Sequence, residues 1–232
     1  VMVTTDKCYE NREQIWGYRE NEPMGGYDPY SSSKGAAEIA IASWRRSFFN
    51  PSDYGMKHHV ALASVRAGNV IGGGDWALDR IIPDCIKALE AGKNIDIRSP
   101  KAIRPWQHVL EPLSGYMLLA TKMWEEPTKY CEGWNFGPRA ESITPVWDVA
   151  TDVIKNYGSG KLNDISNSNV LHEAKLLMLD ISKAKFQLGW EPRMNIHQCI
   201  ELTVDWYKKY QNVDSIYMLC LNEIFKFTSY KK

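Results

Sequence analysis

The sequence predicts an α/β protein built on a parallel sheet, and three observations carry that prediction. Segments of strand, helix and strand character follow one another over residues 1–71. The apolar run in "HVALASVRAGNVIGGGD" has the length of a central strand and ends in a glycine-rich turn, as strands buried in a parallel sheet do. Beyond it, helical periods and short strands continue to about residue 210.

The elements follow in order. Val1–Thr5 reads as a buried strand from its first residue, with no initiator Met at position 1 and no cap before it, so a C-terminal fragment of a longer chain is expected. A loop rich in Glu, Gly and Pro spans residues 11–29, and residues 31–49 read as a helix. Ala36, Ala37, Ile39, Ala40 and Ile41 run on too continuously for a surface helix, so packing on more than one side is expected. Residues 80–92 form a helix that tolerates Pro83 in its first turn, "NIDIRSP" a short strand, and residues 111–126 a helix opened by Pro112. "EGWNFGP" is a further short strand and turn. Residues 145–157 and 196–210 are helical by period. Between them lie a polar loop, 158–169, and "LDISKAKFQLGWEP", where Asp180 caps a short helix stopped near Gly189 and Pro192. No internal repeat or low-complexity tract occurs, and the last twenty residues carry no recognisable motif.

Composition narrows the classes of function. Lys plus Arg and Asp plus Glu both number 28, so no field on the scale of the molecule draws in nucleic acid or an anionic membrane. Five widely spaced cysteines without a CxxC pair argue against a disulfide scaffold or zinc knuckle and point to a reducing, cytoplasmic compartment. No apolar run reaches the length of a membrane span and no basic-then-apolar leader opens the chain, so a soluble protein is expected. The five histidines show no metal-ligand spacing; His108, near Arg104, is a candidate for the lining of a substrate pocket, and the others read as surface or structural. "YGSGKL" lacks the earlier Gly and the following Ser or Thr of a P-loop.

Two short stretches carry chemistry. Tyr30 and Lys34, four apart at the start of a helix, project from one face. An ammonium near a phenol favours the phenolate against a pKa of about 10 when unperturbed, which makes a general base for a sugar hydroxyl. On "YSSSK" alone an ordinary amphipathic helix start is the better reading. Thr5-Asp6-Lys7 places a hydroxyl, a carboxylate and an ammonium side by side at a strand end, and on its own that too reads as a polar terminus.

Taken together, "TTD" closing a strand, YxxxK some twenty residues on, and a strand ending in "VRAGNVIGGG" resemble the extended short-chain dehydrogenase/reductase family. "TTDKCY", "GYRENEPMGGYDPYSSSKGAAE", "GNVIGGGDWALDRIIPD" and "RPWQHVLEPLSGY" resemble its nucleotide-sugar 4,6-dehydratases, in particular the CDP-glucose branch, from Val1 to about Tyr210. The resemblance implies the C-terminal part of a Rossmann-like parallel sheet with a smaller interleaved α/β substrate-binding domain. Residues 1–66 then belong to the NAD-binding part and 67–232 mainly to the substrate domain, with about 94–124 returning to the first.

It also implies a tightly bound NAD, CDP-glucose as substrate, water lost to give CDP-4-keto-6-deoxy-D-glucose for deoxysugar and O-antigen-type polysaccharide synthesis, and a homodimer. Carried over residue by residue, Tyr30 takes the C4 hydroxyl proton, and Lys34 tunes Tyr30 and holds the nicotinamide ribose. Thr5 hydrogen-bonds the reacting oxygen, Asp6 protonates the departing C6 hydroxyl, and Lys7 stands where related enzymes place a Glu that removes the C5 proton. A lysine at its ordinary pKa of about 10.4 is no base, so Lys7 either loses its proton to desolvation or stabilises an enolate at C4–C5. Asn69, Arg104, Arg80 and Asn135 match positions that meet the nucleotide diphosphate, a planar guanidinium suiting two phosphate oxygens. For Arg80 a solvated helix-end charge is an equal alternative, and for Asn135 a strand-end Asn is the common bland case. Other nucleotide-sugar epimerases or dehydratases, and a truncated non-catalytic binding domain, remain alternatives. No GxxGxxG occurs, so the isolated chain is expected to hold NAD poorly and to be inactive.

Overall fold

The computed structural model describes residues 1–139, 142–166 and 176–230. The elements in chain order are β1 (Met2–Val3), α1 (Pro29–Ser47), β2 (Ser64–Ala67), β3 (Asn69–Ile71), α2 (Ile81–Glu90), β4 (Ile95–Ile97), β5 (Ile103–His108) and α3 (Leu110–Glu125). There follow β6 (Gly133–Phe136), β7 (Ile143–Pro145), α4 (Val146–Tyr157), β8 (Leu162–Asp164), α5 (Ile196–Lys209) and α6 (Ile216–Ser229). The chain divides into two units, the first made of Val1–Gly68, Glu111–Gly137 and Leu177–Glu191, the second of Asn69–Leu110, Pro138–Leu176 and Pro192–Lys232.

The first unit holds a parallel sheet in the order β1-β2-β6. β2 and β6 are buried along their whole length, and their polar members Ser64, Arg66 and Asn135 are accommodated by buried hydrogen bonds. Val65, Leu119, Met123, Trp134, Phe136, Leu188 and Trp190 form the core beside them. Gly115 lets α3 lie close: a Cβ there would sit 2.3 Å from the Phe136 ring. The expected short helix is π-helical over Ala184–Leu188 and ends at Gly189, φ 68°; Asp180 accepts from the Ser182 N–H at 2.7 Å just before it, but the cap position is Lys183, without a side-chain cap bond.

Two expectations fail here. The opening strand is not buried: Val3 is 62% exposed, because β1 is the sheet's edge and pairs with β2 on one side only among the described residues. Nor is α1 packed on several sides. Its buried positions are Ser31, Gly35 and Glu38, whereas Ile39, Trp44 and Phe48 face outward with no described element over them.

The second unit contains a mixed sheet, β3-β5-β7, with a parallel and an antiparallel pair, and a parallel pair, β4-β8. Its core collects Ile86, Val149, Val153, Ile200 and Trp206 from α2, α4 and α5. α5 opens on a capping box between Asn195 and Gln198. The apolar run that read as one strand is two, β2 and β3, interrupted at Gly68. β5 carries Pro105 and was hidden by it; β8 lies in the expected polar loop, whose part beyond Ser166 falls outside the described residues. α6 fills the tail that carried no motif. No helix among the described residues is long and apolar enough to cross a membrane. The five cysteines are free thiols, all buried except Cys220.

Candidate active site

Thr5, Asp6 and Lys7 do not end a strand; they form a 3-10 turn over Asp6–Cys8 for which Thr5 is the cap. Thr5 Oγ1 donates to Asp6 Oδ1 at 2.9 Å and accepts from the Lys7 N–H at 3.4 Å. The tight turn sends the two neighbours in opposite directions: Asp6 is 3% exposed, while Lys7 faces solvent.

α1 begins at Asp28, whose carboxylate accepts from the Ser31 N–H at 3.0 Å and the Ser31 hydroxyl at 2.6 Å, with Pro29 fitting the first helical position. Those Ser31 hydrogen bonds chiefly, with a smaller contribution from the charge of Lys7, hold the Asp28 carboxyl below the usual carboxylate range. Tyr30 is 53% exposed, and the Lys34 ammonium stands 5.4 Å from its ring centroid, within cation–π range.

Glycines bring the helix and the turn together. A Cβ on Gly35 would come within 2.6 Å of the Gly25 carbonyl oxygen and 3.2 Å of the Cys8 carbonyl oxygen, so only Gly lets α1 rest on the segment that carries Asp6 and Lys7. The Gly25 N–H in turn donates to the Cys8 carbonyl at 2.9 Å, joining the loop before α1 to the end of the turn.

Beneath this pair lies a buried polar network. Glu38 accepts from the hydroxyls of Thr4 and Ser64 and from Arg66 Nη2 at 2.8 Å. Arg66 Nη1 donates to the Tyr9 hydroxyl at 2.6 Å and the Glu20 carbonyl at 3.0 Å. Burial pushes the Glu38 carboxyl up, but the hydrogen bond and charge of Arg66, with the two hydroxyls, outweigh it and hold it below the usual range. Burial pushes the Cys8 thiol up to about 12, so it stays protonated at neutral pH. Asn135 belongs to this network. It is fully buried, its side-chain oxygen accepts from the Tyr9 hydroxyl at 2.8 Å and its amide donates to the Tyr18 and Asp180 carbonyls. Sequence reasoning missed Glu38, Arg66 and Tyr9. Two signals were available: an Arg inside an apolar strand needs a buried partner, and Glu38 lies one turn beyond Lys34.

The other candidates lie in the second unit. Asn69, partly exposed, pairs in register with Trp106 on β5. Arg80 is exposed at the N-cap position of α2 without a side-chain cap bond, beside Asp79 at φ 57°. Arg104 is half-buried on β5 and donates to the Ile103 carbonyl at 2.8 Å. His108 is fully buried; its Nδ1 accepts from the Leu110 N–H at 3.3 Å, and burial lowers its pKa to about 4, so it is neutral. The structure therefore brings Thr5, Asp6, Lys7, Tyr30 and Lys34 into one place, puts Asn135 in the interior beside them, and carries Asn69, Arg80, Arg104 and His108 on the other unit. No group of three or more His, Cys, Asp or Glu among the described residues is arranged to hold a metal ion.

A YxxxK helix resting on a Thr-Asp-Lys turn beside a parallel sheet defines a class, and comparison with known proteins agrees. The model of the GDP-mannose 4,6 dehydratase family matches residues 1–203, and the chain belongs to that family. Within it, the chain is 50% identical over 229 residues to the CDP-glucose 4,6-dehydratase of Salmonella typhimurium, covering 99% of this chain and 64% of that protein. It is 25% identical to the dTDP-glucose 4,6-dehydratase of Haemophilus influenzae, covering 88% and 59%. The chain thus spans less than two thirds of the length of these relatives. Among solved structures, the dTDP-glucose 4,6-dehydratase of Bacillus anthracis in complex with NAD matches with TM-score 0.71 at 21% identity, over 89% of this chain and 60% of that one. A UDP-glucose 4-epimerase from Thermotoga maritima, with UDP-glucose, matches with TM-score 0.73 at 19% identity, over 90% and 63%. These likenesses establish the fold.

Proposed function

We propose that this chain carries the acid–base machinery of an NAD-dependent dehydration of CDP-D-glucose to CDP-4-keto-6-deoxy-D-glucose. The observation that carries the reading is the packing of the Asp6-Lys7 turn onto the helix that presents Tyr30 and Lys34. The identity with the Salmonella enzyme supports the choice of substrate.

Exposed Tyr30 and half-buried Lys34 fit the nicotinamide ribose end of NAD, while no G-x-x-G-x-x-G occurs in the 232 residues to cradle its pyrophosphate. When bound, NAD supplies reversible oxidation and reduction of the sugar. Tyr30, beside the Lys34 ammonium, accepts the proton of the C4 hydroxyl. Thr5 hydrogen-bonds the reacting oxygen by turning toward it the single hydroxyl proton that otherwise goes to the Asp6 carboxylate. Asp6, sheltered from water, gives a proton to the departing C6 hydroxyl. Lys7 either takes the C5 proton or stabilises the charge that develops at C4–C5. Asn69, Arg80 and Arg104 are the candidates for the nucleotide diphosphate. The contacts of Asn135 are those of a structural residue instead. The full-length protein is read as a cytoplasmic homodimer, for which the outward Ile39, Trp44 and Phe48 of α1 are the apolar face; sedimentation tests that reading.

The deciding experiment incubates the full-length protein with NAD and, separately, CDP-, dTDP- and GDP-glucose, and follows the 4-keto product by its absorbance in alkali. CDP-glucose is expected to be converted. Conversion of another sugar nucleotide alone, or a C4 epimer without loss of water, defeats the proposal.

A further inference from the structure

We propose that Glu38 is a positioning residue whose buried carboxylate registers the Thr5-Asp6-Lys7 turn against the helix of Tyr30 and Lys34, so that both halves of the reaction meet one pose of the sugar. This rests on the dehydratase reading above and adds a residue to it.

Positions 30, 34 and 38 fall four apart on α1 and share one stripe of the helix. Glu38 therefore moves with the Tyr–Lys pair. Its two oxygens reach both ends of the segment that holds the acid and the base. One accepts from Thr4, the residue directly before Thr5, whose N–H is also fixed by the Val65 carbonyl at 2.8 Å. The other accepts from Arg66, which donates in turn to Tyr9, the residue directly after Cys8. One carboxylate thus holds residues 4–9 at both ends, directly at the start and through one guanidinium at the finish.

Core stability alone does not call for such an arrangement. A buried ion pair returns little net stability over apolar residues of the same volume, because both charges are desolvated. Directional bonds to both ends of a turn are what an apolar pair cannot supply. Reaction rates are sensitive to that kind of placement, a misplacement of about 1 Å costing on the order of 10²-fold. Oxidation at C4 draws on Tyr30 and Lys34 of the helix and on Thr5 alone from the turn, whereas loss of water needs Asp6 and Lys7 in register with the helix as well.

The test uses Thr4→Val, which leaves the ion pair intact, and Glu38→Gln, in the full-length protein, with Thr4→Ser as the conservative control. Two readouts are taken: the rate of C4 oxidation against the rate of water loss, and hydrogen exchange of the 4–10 backbone. In both Val and Gln variants, water loss is expected to fall roughly tenfold to hundredfold while oxidation, which uses only Thr5 of the turn, falls by much less. Exchange over 4–10 should rise, and Thr4→Ser should restore both. Should Glu38→Gln fail to fold because Arg66 is left unpaired, Thr4→Val decides. Equal slowing of the two steps, or unchanged steps and exchange in a folded Thr4→Val protein, overturns the inference. A wild-type protein that dehydrates no sugar nucleotide overturns the activity reading itself, and the two failures are told apart by that control.

Discussion

Asp6 and Lys7 are adjacent in sequence but opposite in environment, which suits them to the different roles proposed above. A carboxyl that is 3% exposed and held by the Thr5 hydroxyl is shielded from bulk water, as a proton donor to a leaving hydroxyl must be. An exposed ammonium one residue later is free to follow the sugar. Asp6→Asn keeps the shape and the hydrogen bond but removes the transferable proton. It is expected to leave C4 oxidation intact and slow water loss by about 10² to 10⁴-fold, read by separating oxidation from product formation. Tyr30→Phe should abolish the oxidation itself. These residues were singled out in the sequence by their order and spacing. Their division into one buried and one exposed group was not legible there, because it depends on a tight turn where a strand end was expected, with Thr5 as its cap.

At the level of elements, the close approach of α1 to the turn depends on Gly35. Gly35→Ala would place a Cβ against backbone oxygens, which cannot rotate away, so the helix must shift. The expected outcome is a loss of about 1–3 kcal/mol of stability by denaturant titration, with water loss impaired beyond that. α6 shows a different dependence. Glu223 is turned toward α5, its Oε1 meets no hydrogen-bond partner among the described residues, and burial, with the charge of Asp205, pushes its pKa up to about 7. Lys209 and Lys226 oppose the shift but are already paired with Asp205 and Glu201. A carboxyl whose folded pKa lies above its unfolded value of about 4.3 favours folding while protonated. Stability therefore falls as pH rises from about 4 to about 7 and is level beyond that. Glu223→Gln should remove that fall, melting a few degrees higher than wild type at pH 8 and close to it at pH 4 in thermal scans. α6 is not legible from periodicity, since its apolar residues do not keep to one stripe: Leu219 and Phe227 pack inward while Tyr217 and Phe225 stay exposed. β5 was hidden by Pro105, which reads as a strand breaker unless the sheet pairing is known.

On the scale of the molecule, both units pair strands that lie far apart in the chain: β6, residues 133–136, joins β2 in the first, and β8, residues 162–164, joins β4 in the second. Local periodicity finds a strand such as β6 but says nothing of its neighbour. What the sequence offers to the proposed NAD is uneven: a lysine and a tyrosine for one end, and no G-x-x-G-x-x-G turn for the pyrophosphate. Backbone N–H groups at such a turn supply most of the hold on a dinucleotide, because they meet its charged centre, while a ribose contact from Lys34 adds only one bond. NAD added to the 232-residue chain is therefore expected to bind weakly and to exchange freely on dialysis. The same chain preceded by a strand, glycine-rich turn and helix should retain NAD through purification. Calorimetric titration of both forms checks this. Equal affinities would mean that Tyr30 and Lys34 hold the cofactor by themselves, and the division of labour between its two ends would have to be abandoned.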